Sequence, residues 1–231
     1  MAFNVSTEIS GEIFAVLTGD VIKSSKLSPH VRRQALSYLN ETAVRLPQVF
    51  SNLTVIGPEI FRGDSWQMLL SDARLGLHAA FYLRAELRSR FGVDTRIGIG
   101  VGGLETLSDQ SVGSADGPAF RRSGKALDSL KRNETMLCLL DDQPSAVNDL
   151  LQVALRFAAR SASQWSKREA FAVARSLEGR KQIEIADGWI GGPTSPQNAA
   201  NALRRAAWAE LEALLICFAQ LIKERLECAS P

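Results

Sequence analysis

Two Gly-Asp pairs, Gly19-Asp20 and Gly63-Asp64, are the residues of this chain best suited to chemistry. Each carboxylate follows a glycine and adjoins an apolar run, Ala15–Leu17 before the first and Trp66–Leu70 after the second. Magnesium is usually held by one or two carboxylates together with substrate phosphate oxygens, so Asp20 and Asp64 are candidates to share one hard divalent cation. Gly19 lets a ligand approach the backbone closely. The turn Val21-Ile22-Lys23-Ser24-Ser25 then offers amides, hydroxyls and one ammonium to an anion such as phosphate. A lone Gly-Asp is a common turn dipeptide; two copies in the same setting favour the metal-site reading.

Other chemistry-bearing residues form no such constellation. His30 and His78 fall on separate expected helices, in surface or half-buried roles. Cys138, Cys217 and Cys228 are odd in number and lack metal-ligand spacing, which suits reduced thiols, with Cys138 and Cys217 expected to be buried. No Gly-x-Ser-x-Gly elbow, Walker loop or Cys-x-x-Cys occurs. Trp66, Trp165, Trp189 and Trp208 read as packing anchors; only Trp66 lies in a strand context suited to stacking a base. The arginines of 84–96 read as a solvated face.

The elements that must position the two carboxylates follow from periodicity. Residues 12–22 form a first strand, apolar enough to be central. Ser28-Pro29 opens a helix with apolar positions from Val31 to Leu46, ending at Pro47. Residues 53–56 and 59–70 read as two strands of a hairpin around Gly57-Pro58 and the second Gly-Asp. An amphipathic helix spans 72–91, closed by Gly92. In Thr95–Leu104, glycines alternate with β-branched residues, the mark of a strand that a backbone or ligand approaches closely. A polar loop over 108–117, a helix over 118–131 and a strand over 135–140 complete the order β-α-β-β-α-β-α-β. Split βαβ units of this kind give a sheet containing antiparallel pairs with helices on one face.

Beyond residue 144 only helices are expected: 145–164, 166–178, 180–189 and a long one over 195–227, started by Ser195-Pro196. Two short helices, a Gly-containing turn at 191–194 and a third helix match a helix-turn-helix over about 166–205. Its third helix carries Ser195, Gln197, Asn198, Asn201, Arg204 and Arg205, side chains able to read base edges or meet phosphate on double-stranded DNA. A dimerisation hairpin with a wet polar face is the alternative reading. The long apolar helix 206–226 offers a face for a homodimer or for packing within the monomer.

At 231 residues, 45% apolar and 23% charged, the chain has material for a real core. Net charge is +2 overall, −1 over residues 1–150 and +3 beyond, with +5 concentrated in 156–205. That asymmetry hints at an anionic partner for the C-terminal part. With no leader and no membrane-spanning apolar run, a cytoplasmic location with no membrane partner is expected.

Taken in order, Leu-Thr-Gly-Asp-Val-Ile (17–22), Arg-Gly-Asp-Ser-Trp (62–66), Arg-Ile-Gly-Ile-Gly (96–100) and Asp-Gly-Pro-Ala-Phe (116–120) resemble the nucleotidyl cyclase fold. That fold is shared by class III adenylyl and guanylyl cyclases and diguanylate cyclases. The details look most like the small bacterial SatD-like family. The resemblance implies an α+β ferredoxin-type sandwich over 1–142, followed by an all-α domain over 143–231 with the helix-turn-helix. It further implies that Asp20 and Asp64 hold Mg²⁺ or Mn²⁺ around a nucleoside triphosphate, that Gly19, Val21, Ile22, Lys23 and Ser24 surround the phosphates, and that the protein is a homodimer. In the register of the cyclase Asn and Arg catalytic pair stand Arg121 and Lys125. Arg has no acceptor and Lys lacks the forked guanidinium geometry. A regulator with a metal-dependent nucleotide site is therefore expected, with an active cyclase or nucleotidyltransferase, or a protein-interaction module, as alternatives.

Overall fold

The computed structural model describes residues 13–61, 63–107, 111–143 and 145–229; the side chain of Cys228 and residues 108–110 of the expected polar loop lie outside that description. A five-stranded sheet in the order β2-β3-β1-β4-β5 carries the fold. Its strands are β1 (Phe14–Val21), β2 (Val55–Phe61), β3 (Ser65–Leu70), β4 (Thr95–Gly102) and β5 (Met136–Leu139). The central β1 runs antiparallel to both β3 and β4, while β4 and β5 are parallel. With α1 (Pro29–Val49), α2 (Gly76–Phe91) and α3 (Pro118–Asp128) between them, the expected β-α-β-β-α-β-α-β order is observed.

Both faces of β1 are buried, which is why its sequence is apolar almost without interruption. Ala15 and Leu17 enter the main core under α1 and α2; Phe14 and Val16 enter a smaller one on the opposite face with Ala119 and Phe120 of α3. β4 alternates more sharply. Ile97, Ile99 and Val101 join the main core, while Gly98 and Gly100 face α3. A Cβ at Gly98 would stand 2.4 Å from the Ser123 carbonyl oxygen, and one at Gly100 2.1 Å from that of Ala119. The close approach read from the glycine spacing is thus that of a helix backbone. It also places α3 on the second face of the sheet, where helices on one face only had been expected.

Several local expectations shift. α1 runs through Pro47 to Val49, because a proline one turn from the end forfeits a single backbone bond and Phe50 still donates to Leu46. β2 continues across Gly57-Pro58 with a register shift between Ile56 and Glu59, leaving Gly63-Asp64 as the hairpin turn before β3. A short 3₁₀ turn over Ala73–Leu75 precedes α2. α2 itself is buried on all sides from Gly76 to Leu87 apart from half-buried His78, unlike the amphipathic helix expected. Gly92 closes it in the left-handed conformation, as its position suggests.

The elements that bury α2 come from the C-terminal half: α4 (Ala146–Ala162), α5 (Lys167–Leu177), α6 (Gln182–Asp187), α7 (Pro196–Arg205) and α8 (Trp208–Ala229). Ser145, Ser166 and Ser195 cap α4, α5 and α7 through their hydroxyls. The single helix expected over 195–227 is two, broken where Ala207 adopts φ 55°. Trp165 Nε1 donates to the Ala206 carbonyl at 3.0 Å, satisfying an acceptor that the break exposes. The expected boundary at 142/143 falls in the β5–α4 connection, yet one hydrophobic core runs across it, from Leu17 and Ile99 through Phe81 to Leu155, Val173 and Phe218.

A candidate nucleotide cleft at the end of β1

Asp20 lies near the end of β1, with Ser65 of β3 and Arg96 of β4 as its register partners. Asp64 immediately precedes Ser65, so pairing of β1 with the hairpin strand carries the second Gly-Asp turn beside the first. Both aspartates line one open cleft of about 1260 Å³. Its near wall is the turn from Val21 to Leu27; its far wall is Arg132–Thr135 before β5 together with Arg160 of α4 and Ser163, which caps that helix.

Local sequence explains how Asp20 is presented. Thr18, Asp20, Gln67, Arg96 and Gly98 share the α3 face of the sheet by strand alternation. Gln67 Nε2 donates to Thr18 Oγ1 at 2.8 Å, and Thr18 Oγ1 lies 2.8 Å from Ser123 Oγ, tying β3, β1 and α3 together one pleat behind the carboxylate. On the other face, Trp66 is fully buried over Gly19 and donates to Thr95 Oγ1 at 3.1 Å. Gly19 is required there, since a Cβ would meet the indole at 2.4 Å. Trp66 is therefore a packing anchor and no stacking platform.

Arg96 grips Asp20 with a fork: Nε donates to Oδ1 at 2.9 Å, and a terminal nitrogen pairs with Oδ2. Asp20 is 18% exposed and Arg96 39%. The hydrogen bond to Asp20, followed by the attraction of Asp20 and Asp64, outweighs partial burial and raises the guanidinium pKa further. Deeper in the molecule, Arg84 is fully buried and makes a bidentate pair with Asp94, at 2.9 and 2.7 Å. Arg88 adds a third bond to Asp94 and holds the Trp165 carbonyl. Arg84 also donates to Ser163 Oγ at 3.0 Å. The arginines at 84 and 88 thus pin the floor of the cleft to the start of β4 and to α4, where a solvated face had been expected.

The turn after Asp20 was expected to meet an anion. Lys23 adopts φ 56°, and a 3₁₀ turn follows over Ser24–Lys26. The Ile22 amide is committed to the Asp94 carbonyl at 2.9 Å. Among the described residues, the amides of Lys23, Ser24 and Ser25 have no acceptor. Lys23, Lys26, Arg132 and Arg160 line the cleft without a carboxylate partner among the described residues. Four carboxylates and no thiol or imidazole line the cleft; Asp94 is held by Arg84 and Arg88 and Glu134 by Arg156, and the remaining two, Asp20 and Asp64, suit a hard oxygen-seeking ion that completes its shell from phosphate and water. The described residues contain no cluster of three or more His, Cys, Asp or Glu side chains able to hold a metal by themselves.

Arg121 and Lys125 stand outside this cleft. Arg121 is exposed on α3 and bound to Glu105 and Asp116, and its hydrogen bond keeps the Glu105 carboxyl below the usual range. Lys125 is exposed on the same helix. The remaining candidates lie on α7, far along the chain. Ser195 caps that helix, and Asn198 donates to Thr194. Gln197, Asn198 and Arg204 are exposed, and Asn201, half-buried, accepts from Arg204. Arg205 is held by Glu169 of the α5 cap at 2.8 Å. Arg156, Arg175 and Arg180 in the positive segment are likewise paired, with Glu134, Glu86 and Glu178 respectively. Cys138 is buried, and burial raises its thiol pKa; Cys217 is exposed on α8, against expectation.

Arg96, Asp94 and the far-wall arginines were not singled out from the sequence. Arg96 had a usable signal, its place in the alternation of β4 on the same face as the glycines. Arg132 and Arg160 had none, being brought to the cleft by a loop and a helix distant in sequence.

No protein-family model matches this chain, and no curated protein does. Among solved structures, the chain is similar to the active GGEEF domain of a diguanylate cyclase from Vibrio cholerae, at 17% identity and a TM-score of 0.37. The match covers 58% of this chain and 85% of that one. Among the described residues no helix is long and apolar enough to cross a membrane.

Proposed function

We propose that this protein binds a nucleoside polyphosphate, together with Mg²⁺ or Mn²⁺, in the cleft at the end of β1, and that it acts as a nucleotide-responsive regulator. The observation that carries the reading is the convergence of Asp20 and Asp64 on one cleft whose walls also carry Lys23, Lys26, Arg132 and Arg160. Two carboxylates would bind the cation, whose chemistry is to neutralise and orient phosphate oxygens. Arg96 would exchange its hold on Asp20 for a phosphate oxygen, keeping its charge paired in both states. The Lys23–Ser25 amides would donate to the same anion.

Binding is preferred to cyclisation because Arg121 and Lys125 lie outside the cleft and Arg121 is committed to Glu105 and Asp116. The regulatory output rests on the α7 surface, where Gln197, Asn198 and Arg204 are exposed and suited to DNA. A thermal-shift series tests the nucleotide reading directly. Nucleoside triphosphate with Mg²⁺ or Mn²⁺ should raise the melting temperature, since a ligand bound only by the folded state stabilises it. Asp20→Asn should abolish that rise while leaving the ligand-free melting temperature close to wild type. No shift with any triphosphate would reject the reading, and product formation from the triphosphate would move it to catalysis. Titration of duplex DNA at low salt, with Gln197→Ala and Arg204→Ala as comparators, tests the output.

A further inference from the structure

The solvent face of α4 is apolar where a soluble helix would be polar. Leu150 is 71% exposed and Phe157 75%, with Val147 and Val153 also open. Val147, Leu150, Ala154, Phe157 and Ser161 recur at alternating steps of three and four, the spacing of a seam between two helices. Beside this ridge runs a groove of about 290 Å³ between α4 and α8, with Ala154 and Ala158 along one wall and Leu211 and Leu214 along the other. A protruding aromatic and a groove walled by small and aliphatic residues therefore lie on the same surface, which is the requirement for a self-complementary two-fold contact.

The charges on α4 select how two copies would meet. Asp149 stands near its start and Arg160 near its end, and neither has an ion-pair partner among the described residues. Eleven residues separate them, about three turns, so they lie on one flank of the ridge. An antiparallel pairing centred between Leu150 and Phe157 brings Asp149 of each copy to within about 3 Å, along the axis, of Arg160 of the other. A parallel pairing would oppose like charges. The patch is about 25 Å long and two helices wide, of the order of the ~800 Å² per partner that stable interfaces bury.

From this geometry we infer that α4 and the adjoining edge of α8 form an antiparallel homodimer interface, whose occupant is a second copy of this chain. The inference does not rest on the nucleotide reading, and because Arg160 also lines the cleft the dimer is measured without nucleotide. Sedimentation of the full chain at micromolar concentration should show a dimer. Leu150→Asp and Phe157→Asp should each weaken it roughly tenfold or more, whereas Val44→Asp, equally exposed on α1, should not. Asp149→Arg should weaken the dimer, and the combined Asp149→Arg/Arg160→Asp swap should restore it. Circular dichroism checks that each variant is folded; the charge swap, confined to exposed side chains, carries the test if an apolar-to-Asp variant is not. A wild-type monomer, a dimer indifferent to the ridge substitutions in folded protein, or a swap weaker than the single reversal would overturn the proposal.

Discussion

Arg96 holds both carboxylate oxygens of Asp20 across the β1–β4 register, so the candidate metal ligand is already occupied by a cation of the protein itself. A divalent ion that takes the Asp20 oxygens on the side Arg96 occupies would displace that guanidinium, and the freed arginine would need another anion. A phosphate delivered with the metal meets both requirements at once.

The first prediction separates these two roles of Arg96. Arg96→Gln should tighten binding of Mn²⁺ alone, because Asp20 is released. It should weaken binding of the metal–nucleotide complex by roughly ten- to a hundredfold, the value of a lost charge-assisted hydrogen bond. Isothermal titration of each ligand against wild type and variant reads both changes. Movement of the two affinities in the same direction would contradict the exchange.

Gly100 tests the contact between β4 and α3. An alanine there places Cβ 2.1 Å from the Ala119 carbonyl oxygen, and neither backbone can withdraw without disturbing the sheet. Gly100→Ala should cost about 3 kcal/mol, at the upper end of overpacking penalties. Gly124→Ala, where no atom lies within 4 Å of the added Cβ, should be neutral or slightly stabilising. Urea unfolding of the two variants gives the contrast.

A comparable contrast exists between ion pairs. Asp94→Ala leaves Arg84 charged and fully buried, and should cost about 3–5 kcal/mol. Arg74→Ala removes a pair with Asp72 at the surface and should cost less than about 1 kcal/mol. Chemical denaturation measures both, with near-ultraviolet circular dichroism showing whether the packing of α4 on α2 survives in the first.

Ala207 carries the positive φ at the α7–α8 break. Left-handed backbone costs an L-residue roughly 1 kcal/mol and glycine almost nothing. Ala207→Gly should therefore raise the melting temperature by about 2–4 °C, an unusual direction for an alanine-to-glycine change next to a helix. Differential scanning calorimetry would detect it.

His78 supplies a pH dependence. Burial lowers its pKa below the ordinary 6.5, only partly opposed by Asp72, so the folded state prefers the neutral ring. The unfolded chain then binds more protons in the interval between the two values, and stability falls as pH drops from about 6.5 through the folded pKa. Above 6.5 the effect is absent. In His78→Gln the slope of stability against pH in that window should flatten, as read from urea midpoints between pH ~7 and ~5.

Much of the frame was legible because it depends on neighbours in sequence. Serine hydroxyls at Ser28, Ser145, Ser166 and Ser195 mark helix starts, since each caps amides only three residues ahead. The Gly-Asp pairs marked the cleft because a strand delivers its end residue to a sheet edge whatever packs around it. The alternation of β4 announced a close approach, without saying that the visitor was α3.

What sequence could not supply was the company each residue keeps after folding. Arg84 and Glu86 sit on α2 at positions that read as a polar face; they are buried because α4 and α5, arriving some seventy residues later, lie over them and bring Ser163 and Arg175 as partners. Arg205 looked free for a phosphate and is held by Glu169. The break at Ala206-Ala207 carries no glycine or proline to announce it; the indole N–H of Trp165, forty-one residues earlier, donates to the turned Ala206 carbonyl. Local spacing determined where helices and strands form and which carboxylates reach the edge of the sheet. Long-range packing alone decided which charges are paired, which face water, and which arginines complete the cleft, because a charge is stabilised by whatever lies within a few ångströms in space and not by its place in the chain.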